Sequence, residues 1–190
     1  MVYHFSDWIL YSFIILYIIL ALILKLSFKK SYTYLLFYTI MYVYLCNVIN
    51  LTQFPIYVDD DQREAFGGQN VWKEMNLIPF KYEFTKLSFF NILMTVPLGF
   101  GLPFLFRASF KKILIAGVLT GIILESGQLL TALYAGYTFR FVDIDDVIFN
   151  ISGTLLGYFI LFKLFKLTFN ILVRKWNIKF NSIVKHINNT

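Results

Sequence analysis

Five long apolar segments, separated by short polar ones, are the dominant pattern along this chain of 190 residues. A helix rises about 1.5 Å per residue, so roughly 20 apolar residues cross the ~30 Å hydrocarbon core of a bilayer. Each segment is long enough for that. The pattern predicts an all-α membrane protein with five transmembrane helices at Trp8–Leu26, Tyr32–Tyr57, Phe89–Phe106, Ile113–Tyr134 and Val147–Leu167.

The spans divide the chain into three parts. We predict a first helix with a basic loop (1–31), a transmembrane core (32–167) and a C-terminal tail (168–190). Apolar residues recur in the tail at helical spacing, and basic residues avoid their face. The tail is therefore predicted to be an amphipathic helix lying on anionic lipids, with a cytoplasmic partner as the alternative. Its apolar face comprises Phe169, Leu172, Val173, Trp176, Phe180, Ile183, Val184 and Ile187.

The basic residues are distributed unequally between the two sides of the predicted bundle. Twelve Lys and Arg residues follow the first, third and fifth spans, whereas five lie on the other side. Positive residues stay preferentially in the cytoplasm, and acidic residues have little influence. We therefore expect the N-terminus outside and the C-terminus in the cytoplasm of a cell, most simply across a bacterial plasma membrane.

Composition and charge exclude several classes of function. Hydrophobic residues make up 58% of the chain, which leaves too little polar surface for a soluble domain of this length. The net charge is +6, but the surplus basic residues lie beside the predicted spans and do not form one basic face, so we expect no nucleic-acid partner. The single Cys46 cannot form an intrachain disulfide, and His4 and His186 lack partners at ligand spacing, so no metal or other cofactor is expected.

Polar residues inside the fourth span form one stripe. Gly117, Gly121, Glu125 and Gln128 follow one another at steps of three or four residues, so they share a helix face. Small residues allow a neighbouring helix to approach closely. A carboxyl group at Glu125 then has to be protonated, paired or hydrated. It is either part of a functional site or a neutral hydrogen-bonding group that holds the bundle together.

A second polar group begins the fifth span. Asp143, Asp146 and Asn150 recur at helical spacing on one side, whereas Asp145 points about 100° away from Asp146. Asp143 is also a candidate helix cap. Arg140 is expected to pair with Asp143 or Asp146, or to reach the fourth span's acid. The glycines that follow, Gly153 and Gly157, are expected to pack against the fourth span.

The two groups are expected to meet in the outer half of the membrane. With an amide from the third span, they define a predicted ligand-binding cluster of Asn91, Glu125, Gln128, Arg140, Asp143, Asp146 and Asn150. If the site is catalytic, Glu125 and Asp146 are the candidate catalytic residues, because carboxyl groups serve as general acids and bases. The alternative is a purely structural role, in which the same residues only join the helices to one another.

Four segments, in this order, resemble the VanZ-like family, which is named for a protein associated with resistance to the glycopeptide teicoplanin. They are Asn76-Leu-Ile-Pro79-Phe80, Asn91 with Pro97-Leu98-Gly99, Glu125-x-x-Gln128, and Arg140-x-x-Asp143-x-x-Asp146-x-x-x-Asn150-x-x-Gly153. The resemblance implies a multi-pass membrane protein that contributes to glycopeptide tolerance. It does not imply a particular reaction.

Three functional hypotheses follow. The first is a binder of a lipid headgroup, a lipid-linked cell-wall precursor or a glycopeptide at an outward-facing pocket. The second is an intramembrane enzyme that acts on a lipid phosphate or a cell-wall precursor, in which Asp143, Asp146 and Asn150 could hold Mg²⁺ against a phosphate. The third is a flippase, which the lack of an inverted repeat disfavours. The oligomeric state does not follow from the sequence.

Overall fold

The computed structural model describes residues 2–66, 69–177 and 181–190, with the backbone alone at Asp7. Within these residues, five helices are long and apolar enough to cross a membrane, which confirms the predicted all-α membrane fold. The candidate spans are Trp8–Leu26, Tyr32–Gln53, Lys86–Phe104, Phe110–Ala135 and Ile144–Lys175.

Two antiparallel helices, α1 (Asp7–Leu26) and α2 (Tyr32–Gln53), begin the bundle. Hydrogen bonds join them inside the membrane region, as in the 2.7 Å contact between the Tyr17 and Thr39 hydroxyls. α2 ends before the predicted Tyr57, because a proline at position 55 disfavours helical geometry in the residue before it. Strand β2 (Ile56–Tyr57) follows and pairs with the N-terminal strand β1 (Val2–Tyr3).

The long loop after β2 folds back onto the bundle. It contains the short helices α3 (Asp60–Ala65) and α4 (Val71–Glu74). The buried Tyr137 hydroxyl donates to the Tyr57 carbonyl at 3.1 Å and contacts the Gln62 amide oxygen at 2.7 Å. Burial raises the pKa of this hydroxyl. The described residues of segments 54–66, 69–85 and 136–143 thus lie at one end of the bundle, which we call the loop end.

Helix α5 (Lys86–Gly101) begins earlier than the predicted Phe89, because Thr85 and Ser88 form a capping box. It continues through Pro97 and ends in a 3₁₀ turn, Leu102–Phe104. The Tyr44 hydroxyl of α2 donates to the Met94 carbonyl at 2.7 Å, near this proline. This hydrogen bond joins α2 to α5.

Helix α6 (Phe110–Ala135) ends at Gly136, whose positive φ of 80° is readily adopted by glycine. The fifth span is one continuous helical segment made of α7 (Ile144–Leu156), a π-helical turn (Gly157–Phe162) and α8 (Lys163–Lys175). Its helical structure continues beyond the predicted end at Leu167.

Helix α7 lies between α5 and α6, and glycines allow both approaches. A Cβ atom on Gly117 or Gly121 of α6 would lie 3.2 Å from Thr154 or 2.9 Å from Val147, which confirms the close packing expected of this stripe. The prediction that Gly153 and Gly157 pack against the fourth span was wrong, because both lie against the backbone of α5. A Cβ on Gly153 would lie 2.0 Å from the Ile92 carbonyl oxygen of α5, because α7 turns a different face toward α6.

The tail differs from the single helix that its periodicity predicts. Its first part continues α8 to Lys175, and a separate helix, α9 (Ser182–Asn188), packs back against the bundle. The His186 ring contacts the Phe104 carbonyl at 2.8 Å, and the Lys166 ammonium donates to the Ile187 carbonyl. Phe180 of the predicted apolar face lies outside the described residues. Attachment of the tail to lipid stays a prediction.

Candidate functional site

The loop segment at Asn76 is bound to the start of α7. Its backbone N–H donates to the Val142 carbonyl, and its carbonyl accepts from the Ile144 N–H, both at 2.9 Å. The Asn76 side-chain amide donates to the Asp143 carboxylate at 2.8 Å. These three hydrogen bonds fix the loop over the polar end of the fifth span.

Asp143 caps α7, as its position predicts. Its carboxylate accepts the Asp145 backbone N–H at 2.9 Å, and its own backbone N–H donates to the Glu125 carboxylate at 2.9 Å. Asp143 therefore connects the loop end, α7 and α6. The Glu125 side chain is 6% exposed and lies near enough to Asp143 and Asp146 for electrostatic interaction.

Asp145 and Asp146 point to different partners, in agreement with their helical spacing. The Asp145 carboxylate is 4% exposed and accepts the Phe80 backbone N–H at 2.7 Å. Asp146 is partly buried, and the Asn91 amide of α5 lies close enough to interact with its carboxylate. Asp145 therefore positions the loop segment, whereas Asp146 lies at the interface with α5.

Arg140 does not make any of the expected pairs. Its guanidinium donates to the Leu51 and Phe54 carbonyls, each at 2.9 Å. The end of a helix leaves carbonyls without intrahelical donors, so Arg140 satisfies the end of α2. Burial lowers the pKa of the Arg140 guanidinium, and electrostatic interaction with Tyr57 offsets only part of this effect.

A cavity of about 860 Å³ lies between α2, α5 and the segment that leads into α7. Its apolar wall includes Leu51, Phe90 and Met94. Five members of the predicted polar cluster line it, namely Asn91, Gln128, Arg140, Asp143 and Asp146. Its volume lies within the range of about 300–1,000 Å³ that small-molecule sites occupy.

Two members of the predicted cluster do not line this cavity. Glu125 lies behind Asp143, bound to its backbone. Asn150 is 1% exposed, and its amide oxygen has no hydrogen-bond partner among the residues that the structure describes. The cavity therefore brings together the polar groups nearest the loop end, and Glu125 and Asn150 lie outside its lining.

In the described parts of the chain, no group of three or more His, Cys, Asp or Glu residues is arranged to hold a metal ion. The predicted Mg²⁺ ligands are already engaged in part. Asp143 accepts hydrogen bonds from Asn76 and Asp145, and Asp146 has Asn91 as its neighbour. These hydrogen bonds orient the Asp143 carboxylate toward the loop end.

Sequence reasoning missed two positioning residues. Asn76 stood in one of the resembling segments but was not placed in the polar cluster, and Asp145 was set aside because it points away from Asp146. The signal at Asn76 is an amide beside a proline-containing turn, which indicates backbone hydrogen bonding. The signal at Asp145 is an acid in the first turn of a helix.

Comparisons with known proteins agree with the fold. No curated protein and no solved structure matches the chain. A family model described as VanZ/LLP1 matches residues 8–167, a range that begins at the first span and ends shortly before the tail. With its five candidate membrane spans, the chain is a multi-pass membrane protein that belongs to the VanZ/LLP1 family.

Proposed function

We propose that this protein binds a lipid headgroup or a lipid-linked cell-wall precursor at the loop end, and thereby contributes to tolerance of teicoplanin-type glycopeptides. The observation that carries the proposal is the 860 Å³ cavity, which combines an apolar wall with five polar side chains. A lipid needs both surfaces, because its chains are apolar and its headgroup is polar.

The position of the cavity supports an outward-facing site. The loop end and the adjoining Lys86 carry five Lys and Arg residues against twelve at the other end of the spans, so the positive-inside rule directs the loop end to the exterior. In a bacterial plasma membrane, that surface presents the precursors that glycopeptides recognise. A protein that binds such a precursor, or changes the lipids around it, alters what the antibiotic reaches.

An enzymatic role is the second hypothesis, and the described geometry gives it less support. Asp146 lines the cavity, but Glu125 does not, so the two candidate catalytic carboxylates do not face one space. A general acid or base acts on an atom within about 3.2 Å of it, directly or through one water. Glu125 instead accepts a backbone hydrogen bond from Asp143 at 2.9 Å.

The test is expression in a glycopeptide-sensitive bacterium. We expect Asp146→Asn and Gln128→Leu to abolish tolerance while the amount of protein in the membrane stays unchanged. The matched control is Ser126→Ala, which changes an exposed residue of α6 outside the cavity lining. Unchanged tolerance in both cavity variants would contradict the proposal. Loss of protein in proportion to tolerance would show that these residues only hold the bundle together.

A further inference from the structure

We infer that the cavity selects a lipid whose headgroup carries a protonated primary amine. This inference rests on the proposed function, since it names the ligand class of the same cavity. It joins two independent observations, which are the charge of the residues around the cavity and a buried amide that faces it without a partner.

The charge around the cavity favours a cationic ligand. Among the described residues that line it, Arg140 is the single basic side chain, and the acids are Glu83, Asp143, Asp145 and Asp146. The Arg140 guanidinium also donates to two carbonyls at the end of α2. A purely anionic headgroup would therefore meet more repulsion than attraction, whereas an ammonium group would be attracted.

Asp146 has the greatest remaining capacity to accept hydrogen bonds. The carboxylates of Asp143 and Asp145 accept protein N–H groups at 2.8 and 2.7 Å. Within the described chain, the Asn91 amide is the neighbouring side chain placed to donate to the Asp146 carboxylate. An ionised carboxylate offers about four acceptor positions, so Asp146 can accept further donors from a ligand.

Gln128 supplies the second observation. Its side chain is 9% exposed and lines the cavity, yet its amide makes no hydrogen bond to any residue that the structure describes. The amide atoms of Gln128 are not among the fully buried side-chain atoms that lack a hydrogen-bond partner, so they are accessible from the cavity. The amide oxygen of Gln128 is thus an acceptor that a bound ligand can satisfy.

These acceptors distinguish a primary from a quaternary ammonium. A primary ammonium has three N–H donors, which can be shared between the Asp146 carboxylate and the Gln128 amide oxygen. A quaternary ammonium carries the same charge without any donor. The apolar wall at Leu51, Phe90 and Met94 provides the surface along which the lipid's chains can lie.

The experiment is competition between lipids with identical acyl chains on the purified full-length protein, read by native mass spectrometry. The probes are phosphatidylethanolamine, phosphatidylcholine and phosphatidylglycerol, which carry a primary ammonium, a quaternary ammonium and no cation, respectively. We expect phosphatidylethanolamine to be retained about tenfold more than either competitor, the effect of roughly one charge-assisted hydrogen bond.

Variants of the protein test which residues cause the preference for phosphatidylethanolamine. Asp146→Asn and Gln128→Leu should each reduce the preference about tenfold, whereas Asp61→Asn should leave it unchanged, because Asp61 is an exposed acid outside the cavity lining. Circular dichroism of each variant checks that the helices are intact. Equal retention of phosphatidylcholine, or a preference for phosphatidylglycerol, would overturn the inference and leave lipid binding itself in place.

A second arm separates the two sources of such an amine. A lipid-linked cell-wall precursor with a free side-chain amine is compared with the same molecule after acetylation of that amine. Binding that acetylation abolishes supports the inference and identifies the precursor as a ligand. Retention of neither the phospholipids nor the precursor would overturn both this inference and the proposed function.

Discussion

Replacing Gly153 with alanine tests how tightly α7 is packed against α5. The new Cβ would lie 2.0 Å from the Ile92 carbonyl oxygen and 2.3 Å from the Thr95 hydroxyl, whereas ordinary contact begins at 3.4 Å. The α5 backbone would have to move by the difference, about 1.4 Å, because the nearest atom belongs to the main chain and cannot rotate away.

The cost follows from that displacement. Overpacking a well-packed core typically costs about 1–3 kcal/mol, and a clash with backbone belongs at the upper end. Alanine recovers about 1 kcal/mol, because it favours a helix more than glycine does. We therefore expect Gly153→Ala to lower the free energy of unfolding by about 2 kcal/mol.

The matched control is Gly117→Ala on α6. Its Cβ would lie 3.2 Å from the Thr154 side chain and 3.3 Å from the Ile151 Cα, so these neighbours have to move by only a few tenths of an ångström. The net effect should be close to zero, or stabilising by up to about 1 kcal/mol. The assay is reversible unfolding of both variants in mixed micelles. Equal losses, or no loss at Gly153, would refute the packing of α7 described above.

Three other predictions concern orientation, the loop and the tail. In a chain without its native cysteine, Asp61→Cys should react with an impermeant thiol reagent on intact cells, and Ser109→Cys should react only after permeabilisation; the opposite pattern would reverse the topology. Asn76→Ala should cost about 2 kcal/mol and expose the loop before α5 to protease, because a buried hydrogen bond to a carboxylate is lost, whereas Glu74→Ala, at an exposed residue of the same loop, should leave cleavage nearly unchanged. Deleting residues 181–190 should leave all spans inserted but lower the thermal midpoint, because α9 packs on the bundle; an unchanged midpoint would show that this packing contributes nothing.

The spans could be predicted because membrane insertion depends on local hydropathy and length. Their ends were less accurate, because capping and helix-breaking residues act locally. The predicted second span included Pro55, whereas α2 ends at Gln53. The predicted third span began at Phe89, whereas α5 begins at Lys86, directly after the Thr85 cap. The glycine stripe of α6 could also be read, since a close approach requires small residues wherever the partner comes from.

The partners of side chains could not be predicted in the same way. Arg140 donates hydrogen bonds to the backbone carbonyls of Leu51 and Phe54. Every residue has a backbone carbonyl, so the sequence does not indicate which of them accepts. Gly153 lies against α5 because of how three helices pack, which spacing within one helix does not determine. The tail residues Val184 and Ile187 are buried against the bundle, although their pattern fits a membrane surface equally well.

The most direct test of the central claim is photocrosslinking from inside the cavity in living cells. Phe90 lines the cavity and Phe89 does not, although their exposed fractions are similar, 54% and 51%. Each is replaced in turn by a photoreactive phenylalanine analogue, and the adducts are identified by mass spectrometry. We expect the analogue at position 90 to crosslink to lipids of one headgroup class. This preference should be lost when the protein also carries Asp146→Asn. The analogue at position 89 should crosslink to the bulk lipid mixture. The same lipid mixture at both positions would contradict a binding site in this cavity.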